Sequence, residues 1–94
     1  MSKEISDNTG QSRYEIRVDG RLAGFAQYRQ RNGAVVFTHT EVDDEYEGQG
    51  VGSALVRGAL DDVRSRGAQV VPLCPFVKSY IERHPEYQDL VAAR

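Results

Sequence analysis

The chain has 94 residues, 39% of them hydrophobic, enough for one core and one small domain and not for two. Its net charge of -2, isoelectric point of about 5.6 and scattered basic residues exclude a charge-driven nucleic-acid surface. One cysteine excludes an internal disulfide or a cysteine-built metal site, two separated histidines argue against zinc, and no apolar run reaches membrane-spanning length.

Residues 1–11 are polar and without periodicity, so they are expected to fray, and the domain is predicted over 12–94. The N-terminus does not resemble a signal peptide, which makes a cytoplasmic chain the expectation. Tyr14 to Val18 alternates apolar and polar residues as a half-buried strand does. Asp19-Gly20 signals a two-residue hairpin. The next strand, Arg21 to Gln30, puts Leu22, Ala26 and Tyr28 on one face and Phe25 on the other, with Gly24 a candidate bulge. After a turn at Arg31-Asn32-Gly33, Ala34 to Val42 is a third, β-branched strand, completing an antiparallel three-stranded meander.

The central feature follows. An acidic turn, Asp43-Asp44-Glu45, leads through Glu47-Gly48-Gln49-Gly50-Val51-Gly52-Ser53 into a helix over about 50–66, whose Val51, Leu55, Ala59 and Val63 form an apolar stripe. A strand, a glycine-rich bend and a helix N-terminus make an anion cradle, because exposed backbone N–H groups and the helix dipole both favour negative charge. The spacing is not the dinucleotide fingerprint, and no lysine followed by Ser or Thr completes a Walker loop. A phosphate-containing ligand over 48–53 is the expectation. Gly67 is suited to cap the helix, and Ala68 to Leu73 reads as a buried strand parallel to the third. Cys74-Pro75 opens a last helix with Phe76, Val77, Tyr80 and Ile81 on its apolar face, and Pro85 ends it. A final helical turn over 86–91 folds Tyr87, Leu90 and Val91 inward. The fold class is α/β.

The glycine stretch resembles the acyl-coenzyme A loop of the GCN5-related N-acetyltransferases, Arg/Gln-x-x-Gly-x-Gly/Ala, with Glu47 standing where the family has Arg or Gln. The order of elements also resembles that family, in a miniature branch of about ninety residues. The branch's motifs read here His39-Thr40-Glu41-Val42, Cys74-Pro75-Phe76-Val77, Tyr80-Ile81 and His84-Pro85-Glu86-Tyr87. The resemblance implies a truncated acetyltransferase fold lacking the usual first strand and helical pair, with acetyl-coenzyme A as co-substrate. It implies that the strands flanking the main helix splay, that main-chain groups around Val42 meet the pantetheine arm, and that the amides of Gly48, Gln49, Gly50, Val51, Gly52 and Ser53 hold the pyrophosphate. Tyr80, one residue from the position of the family's tyrosine acid, reads as core or as a coenzyme contact.

Acetyl transfer to an amine needs a proton acceptor, a donor to the oxyanion and sometimes a proton for the departing thiolate. Period-two alternation puts His39 and Glu41 on one face with Val35 and Phe37, and either could take the proton. Their plain alternatives are a strand-tying imidazole and a solvated strand end. Cys74, at a helix N-terminus, is a candidate leaving-group acid or acetyl carrier, or simply a packed thiol. The acidic turn is a solvated bend or a lure for a cationic amine.

The resulting expectation is an N-acetyltransferase acting on a primary amine, small or protein-borne, without metal, nucleic acid or membrane partner, as a monomer or homodimer. A coenzyme A-binding module without transferase activity is the alternative, and an interaction domain binding no nucleotide a third.

Overall fold

The computed structural model describes residues 2–92; Met1 and the end of the predicted domain, Ala93 and Arg94, lie outside them. Five strands, β1 (Lys3–Asn8), β2 (Arg13–Val18), β3 (Arg21–Arg31), β4 (Ala34–Val42) and β5 (Gln69–Pro72), form one sheet in sequence order. The first four are antiparallel and β5 runs parallel to β4. Both expected hairpins are tight: Asp19 and Gly20 have φ 50° and 84°, Asn32 and Gly33 51° and 79°, the paired positive values of a type I′ turn.

The expectation that residues 1–11 fray is corrected by β1, so the antiparallel part is a four-stranded meander rather than a three-stranded one. Its inward positions carry too few apolar residues to show in the sequence. Ile5 packs against the core beside Gly58, while Asp7 is held by two partners, accepting from Tyr28 Oη at 2.6 Å and pairing with Arg66 at 2.9 Å. A polar strand is stable here because its buried carboxylate is fully bonded.

Two bulges rewrite the alternation read from the sequence. Ile16 pairs with Gly24 and Arg17 with Leu22, leaving Ala23 as an extra residue in β3. Ala23 therefore turns into the core, and Leu22, expected there, is 38% exposed. In β4, Gln27 pairs with His39 and Tyr28 with Phe37, so Thr38 is extra. Val35 and Phe37 face the core before it; after it, Thr40 and Val42 take the inner side while His39 and Glu41 turn outward and are exposed. The expectation that His39 and Glu41 share a face with Val35 and Phe37 fails for that reason.

Helix α1 (Val51–Ser65) buries Val51, Leu55, Val56, Ala59, Leu60 and Val63 against the sheet. Each of the valines and leucines contributes on the order of 1.5–3 kcal/mol relative to exposure. The helix ends as expected at Gly67 (φ 70°): the Gly67 amide donates to Arg64 O and the Ala68 amide to Val63 O, the double bond of a Schellman cap. Tyr14 Oη donates to Asp62 at 2.6 Å, and Arg66 bridges Asp62 and Asp7, tying α1 to the first strands. Helix α2 (Pro75–Arg83) and the 3-10 turn Pro85–Leu90 pack beside α1, where Tyr87 Oη donates to Asp61 at 2.7 Å and Arg64 meets Asp89. Among the described residues no helix is long and apolar enough to cross a membrane.

Candidate active site

Strands β4 and β5 pair only from Ala34 to Phe37. The Cys74 amide makes one last bond, to Phe37 O at 2.9 Å, and then the chain turns away into α2. From Thr38 to Val42 the β5-side edge of β4 has no strand partner among the described residues. The parting is a slot with unpaired main-chain groups along one lip, which cost free energy unless water or a ligand meets them.

At the end of that lip the chain passes through the 3-10 turn Asp44–Tyr46, capped by Asp43, into the glycine loop. Gly48 (φ 78°) and Gly50 (φ 73°) both sit in the left-handed region, with open space where a Cβ would be. Gly50 is the N-cap of α1 and offers no side-chain cap, so the helix N-terminus is left bare. Among the described residues the amides of Gly48, Gly50, Val51, Gly52 and Ser53 make no backbone hydrogen bond. Bare amides at the positive end of a fifteen-residue helix make a well-formed anion cradle.

Gly52 differs from the other two. A Cβ there would lie 2.7 Å from Phe76 Cζ and 3.3 Å from Val42 Cγ2, so any larger residue would have to push the Phe76 ring aside. At this position the space beside the backbone is taken by protein, and the amide is what the residue offers to the cradle.

Charge around the loop is mixed. Glu47 is exposed, and Glu45 pairs with Arg21 at 3.3 Å. The opposing cation comes from β1, where Lys3 Nζ donates to Gln49 O at 3.4 Å. Sequence reasoning missed Lys3 because the segment carrying it showed no periodicity.

Beyond Gly50 the cradle opens into a groove of about 490 Å³ between α1 and α2, lined by Ser53, Ala54, Arg57, Tyr80 and His84 among others. Tyr80 thus stands beside the glycine loop, as a coenzyme contact requires. It is buried, its ring stacked on His84 at 3.9 Å, and burial raises its phenol pKa while Arg57 pulls the other way. The groove also adds Arg57, which no motif marked, and gives a place to His84, read above only within His84-Pro85-Glu86-Tyr87. Only the four-residue helical spacing from Ser53 to Arg57 and from Tyr80 to His84 could have indicated them.

The three candidates for chemistry separate into two groups. Cys74 is the N-cap of α2, 3% exposed, on the helix side of the slot, with Thr40 Oγ1 3.3 Å from its sulfur. His39 and Glu41 are on the opposite side of the sheet, with Nε2 to Oε2 at 3.0 Å and side chains 55% and 61% exposed. The slot between β4 and β5 is what separates them. A group seated in it has a thiol on one side and an imidazole–carboxylate pair on the other.

Known proteins resemble this chain in sequence and fold. A profile of the GCN5-related N-acetyl-transferase family matches residues 13–90, well over half of the chain. Protein NATD1 of chicken, mouse and human is 34% identical over 47 residues. That match takes in 50% of this chain and 42–43% of each relative, so the chain aligns with less than half the length of these curated relatives. The solution structure of a GCN5-like protein from Staphylococcus aureus superposes with a TM-score of 0.72 at 28% identity, covering 97% of this chain and 89% of the other. The ribosomal-protein-alanine N-acetyltransferase of Brucella melitensis gives 0.57 at 26% identity, over 87% of this chain and 62% of that one. With the cradle, the strand parting and the profile match in agreement, the chain belongs to the GCN5-related N-acetyltransferase family.

Proposed function

We propose that the protein transfers an acetyl group from acetyl-coenzyme A to a primary amine. The observation that carries this reading is the run of free amides at the start of α1, opening directly onto the unpaired edge of β4. An anion cradle beside a strand edge suits a ligand with a diphosphate at one end and an amide-rich arm at the other. The residues present fit that coenzyme: five free donors for the diphosphate, Lys3 and Arg57 as nearby cations, and main-chain groups of Thr38 to Val42 for the arm. When bound, the coenzyme supplies an activated thioester.

The chain's own residues supply the rest. Glu41, bonded to His39, takes a proton from the incoming ammonium on the outer side of the slot, which leaves a neutral amine to attack the thioester carbonyl. A free amide along β4 donates to the oxygen that gains charge. Cys74, on the inner side, gives a proton to the departing thiolate or carries the acetyl group itself. The exposed, shallow outer face suits an acceptor that approaches from solvent.

The test is calorimetric titration with coenzyme A, followed by turnover of acetyl-coenzyme A with a panel of primary amines. Binding with turnover is expected, and Glu41→Gln should lower kcat by about 100-fold or more while leaving coenzyme affinity intact. Binding without acetyl transfer to any amine or to the protein would reduce the chain to a coenzyme-binding module. Absence of binding would overturn the reading.

A further inference from the structure

The bulge in β3 does more than expose Leu22. Ala23 turns into the core and Gly24 pairs with the inward-facing Ile16 and Val42, so two successive residues are withdrawn from the outer face of the sheet. Leu22 and Phe25 stay on that face with a gap between them, and a hollow of about 190 Å³ opens there. Across from them it is lined by Glu41, Val42 and Asp43 at the end of β4. Glu41 and Val42 also belong to the unpaired lip of the slot, so the hollow adjoins the place of the proposed transfer. Its two sides differ in chemistry. On the β3 side Leu22 is apolar and 38% exposed, and Phe25 is braced by Arg13, whose guanidinium lies 4.5 Å from the ring centroid and 2.8 Å from the buried Glu15. On the β4 side Glu41 uses one oxygen on His39 and Asp43 one on the Glu45 amide. The other oxygen of each has no partner among the described residues, and no described cation lines the hollow.

We infer that this hollow receives the stem of the acceptor, and that the acceptor is an ammonium on an unbranched aliphatic chain. Its methylenes lie between Leu22 and Phe25, and its charged end reaches Glu41. This deepens the transferase reading given above and rests on it. At about 30 Å³ for each water-sized group the hollow holds roughly six, the bulk of a four- or five-carbon stem with its nitrogen. The carboxylates favour a cation over a neutral or anionic acceptor. The apolar walls favour methylenes over peptide backbone, whose amide would lose its hydrogen bonds between them. An α-amine joined directly to a peptide carbonyl therefore fits poorly, whereas a free alkylamine and a lysine side chain share the chemistry that fits.

The test measures kcat/KM for ethylamine, propylamine, butylamine and pentylamine, which share nearly the same basicity and differ in the stem alone. Nα-acetyl-lysine methylamide is run beside them, on wild type and on Leu22→Ser. In wild type kcat/KM should rise about twofold per added methylene, against roughly fourfold for one buried completely. Leu22→Ser, a change at a partly exposed site, should flatten the series and leave coenzyme A affinity unchanged. Both sources agree with the hollow: the capped lysine matching pentylamine points to a protein-borne acceptor, and its lagging points to a free amine. A flat series in wild type, or an equal slope in Leu22→Ser, overturns the hollow and leaves the transferase reading standing. If no amine is turned over, the amide resonances of isotope-labelled protein titrated with pentylamine decide. Displaced signals of Ala23, Gly24 and Phe25 keep the hollow as an amine site and remove the transferase reading, and unmoved signals remove both.

Discussion

Thr40 Oγ1 lies 3.3 Å from Cys74 Sγ at the point where β4 and β5 part. Plain alternation from Val35 and Phe37 would have sent Thr40 outward, and the bulge at Thr38 brings its hydroxyl in. A thiol at the start of α2 thereby gains a partner that can donate to a thiolate, besides the positive end of the helix. In labelled acetyl-coenzyme A without acceptor, wild type should take up acetyl and Cys74→Ala should not. Thr40→Val, which keeps the volume and removes the donor, should slow the labelling about tenfold, the worth of one hydrogen bond to a charged group. Label retained on Cys74→Ala would exclude the thiol as carrier.

The glycine loop carries opposed charges in Glu47 and Lys3. Glu47→Arg should tighten coenzyme A about threefold and Lys3→Ala should weaken it by a similar factor, the scale of exposed charge interactions. Both effects should shrink in 0.5 M salt, where screening acts over about 4–5 Å. Calorimetry at two salt concentrations reads them, and a weaker complex for Glu47→Arg would give the carboxylate a role of its own.

Removing residues 1–9 strips β1 from the sheet. Asp7 then no longer receives Tyr28 or Arg66, and the partly buried Ile5 is lost. Two hydrogen bonds at about 1 kcal/mol each and part of an isoleucine put the cost at roughly 2–4 kcal/mol. A urea titration checks this. An unchanged midpoint would mean that the first strand adds nothing to the domain.

Tyr28 and Tyr87 are both pushed up to about 12, first by burial and then by donating to Asp7 and Asp61. A phenol whose pKa rises on folding stabilises the fold fully below its unfolded value of 10.0, and that contribution is lost as pH climbs towards 12. Stability of the wild type should therefore drop steeply between those limits. The double variant Tyr28→Phe, Tyr87→Phe should start lower and fall less, as measured by urea midpoints across that range.

Much of the framework was legible because it rests on local rules. Asp19-Gly20 and Asn32-Gly33 dictated their turns, the stripe from Val51 to Val63 dictated α1, and Gly48 and Gly50 marked the cradle with backbone angles other residues resist. What escaped depended on pairing between distant segments. Strand β1 is specified by partners for Asp7 and Ile5 that lie more than twenty residues away. Neither bulge has a signature strong enough to locate it, although Gly24 hinted at one. The outward turn of His39 and Glu41, and the closeness of the Phe76 ring to Gly52, follow from those tertiary facts alone.

The supernumerary residue at Thr38 has a consequence for how this stretch can vary. Deleting it would not slide the strand along; it would invert everything downstream, sending an imidazole and a carboxylate into the greasy interior and turning Thr40 and Val42 to water. Between Val35 and Glu41, then, exchanges of side chain are negotiable, while the number of residues is not.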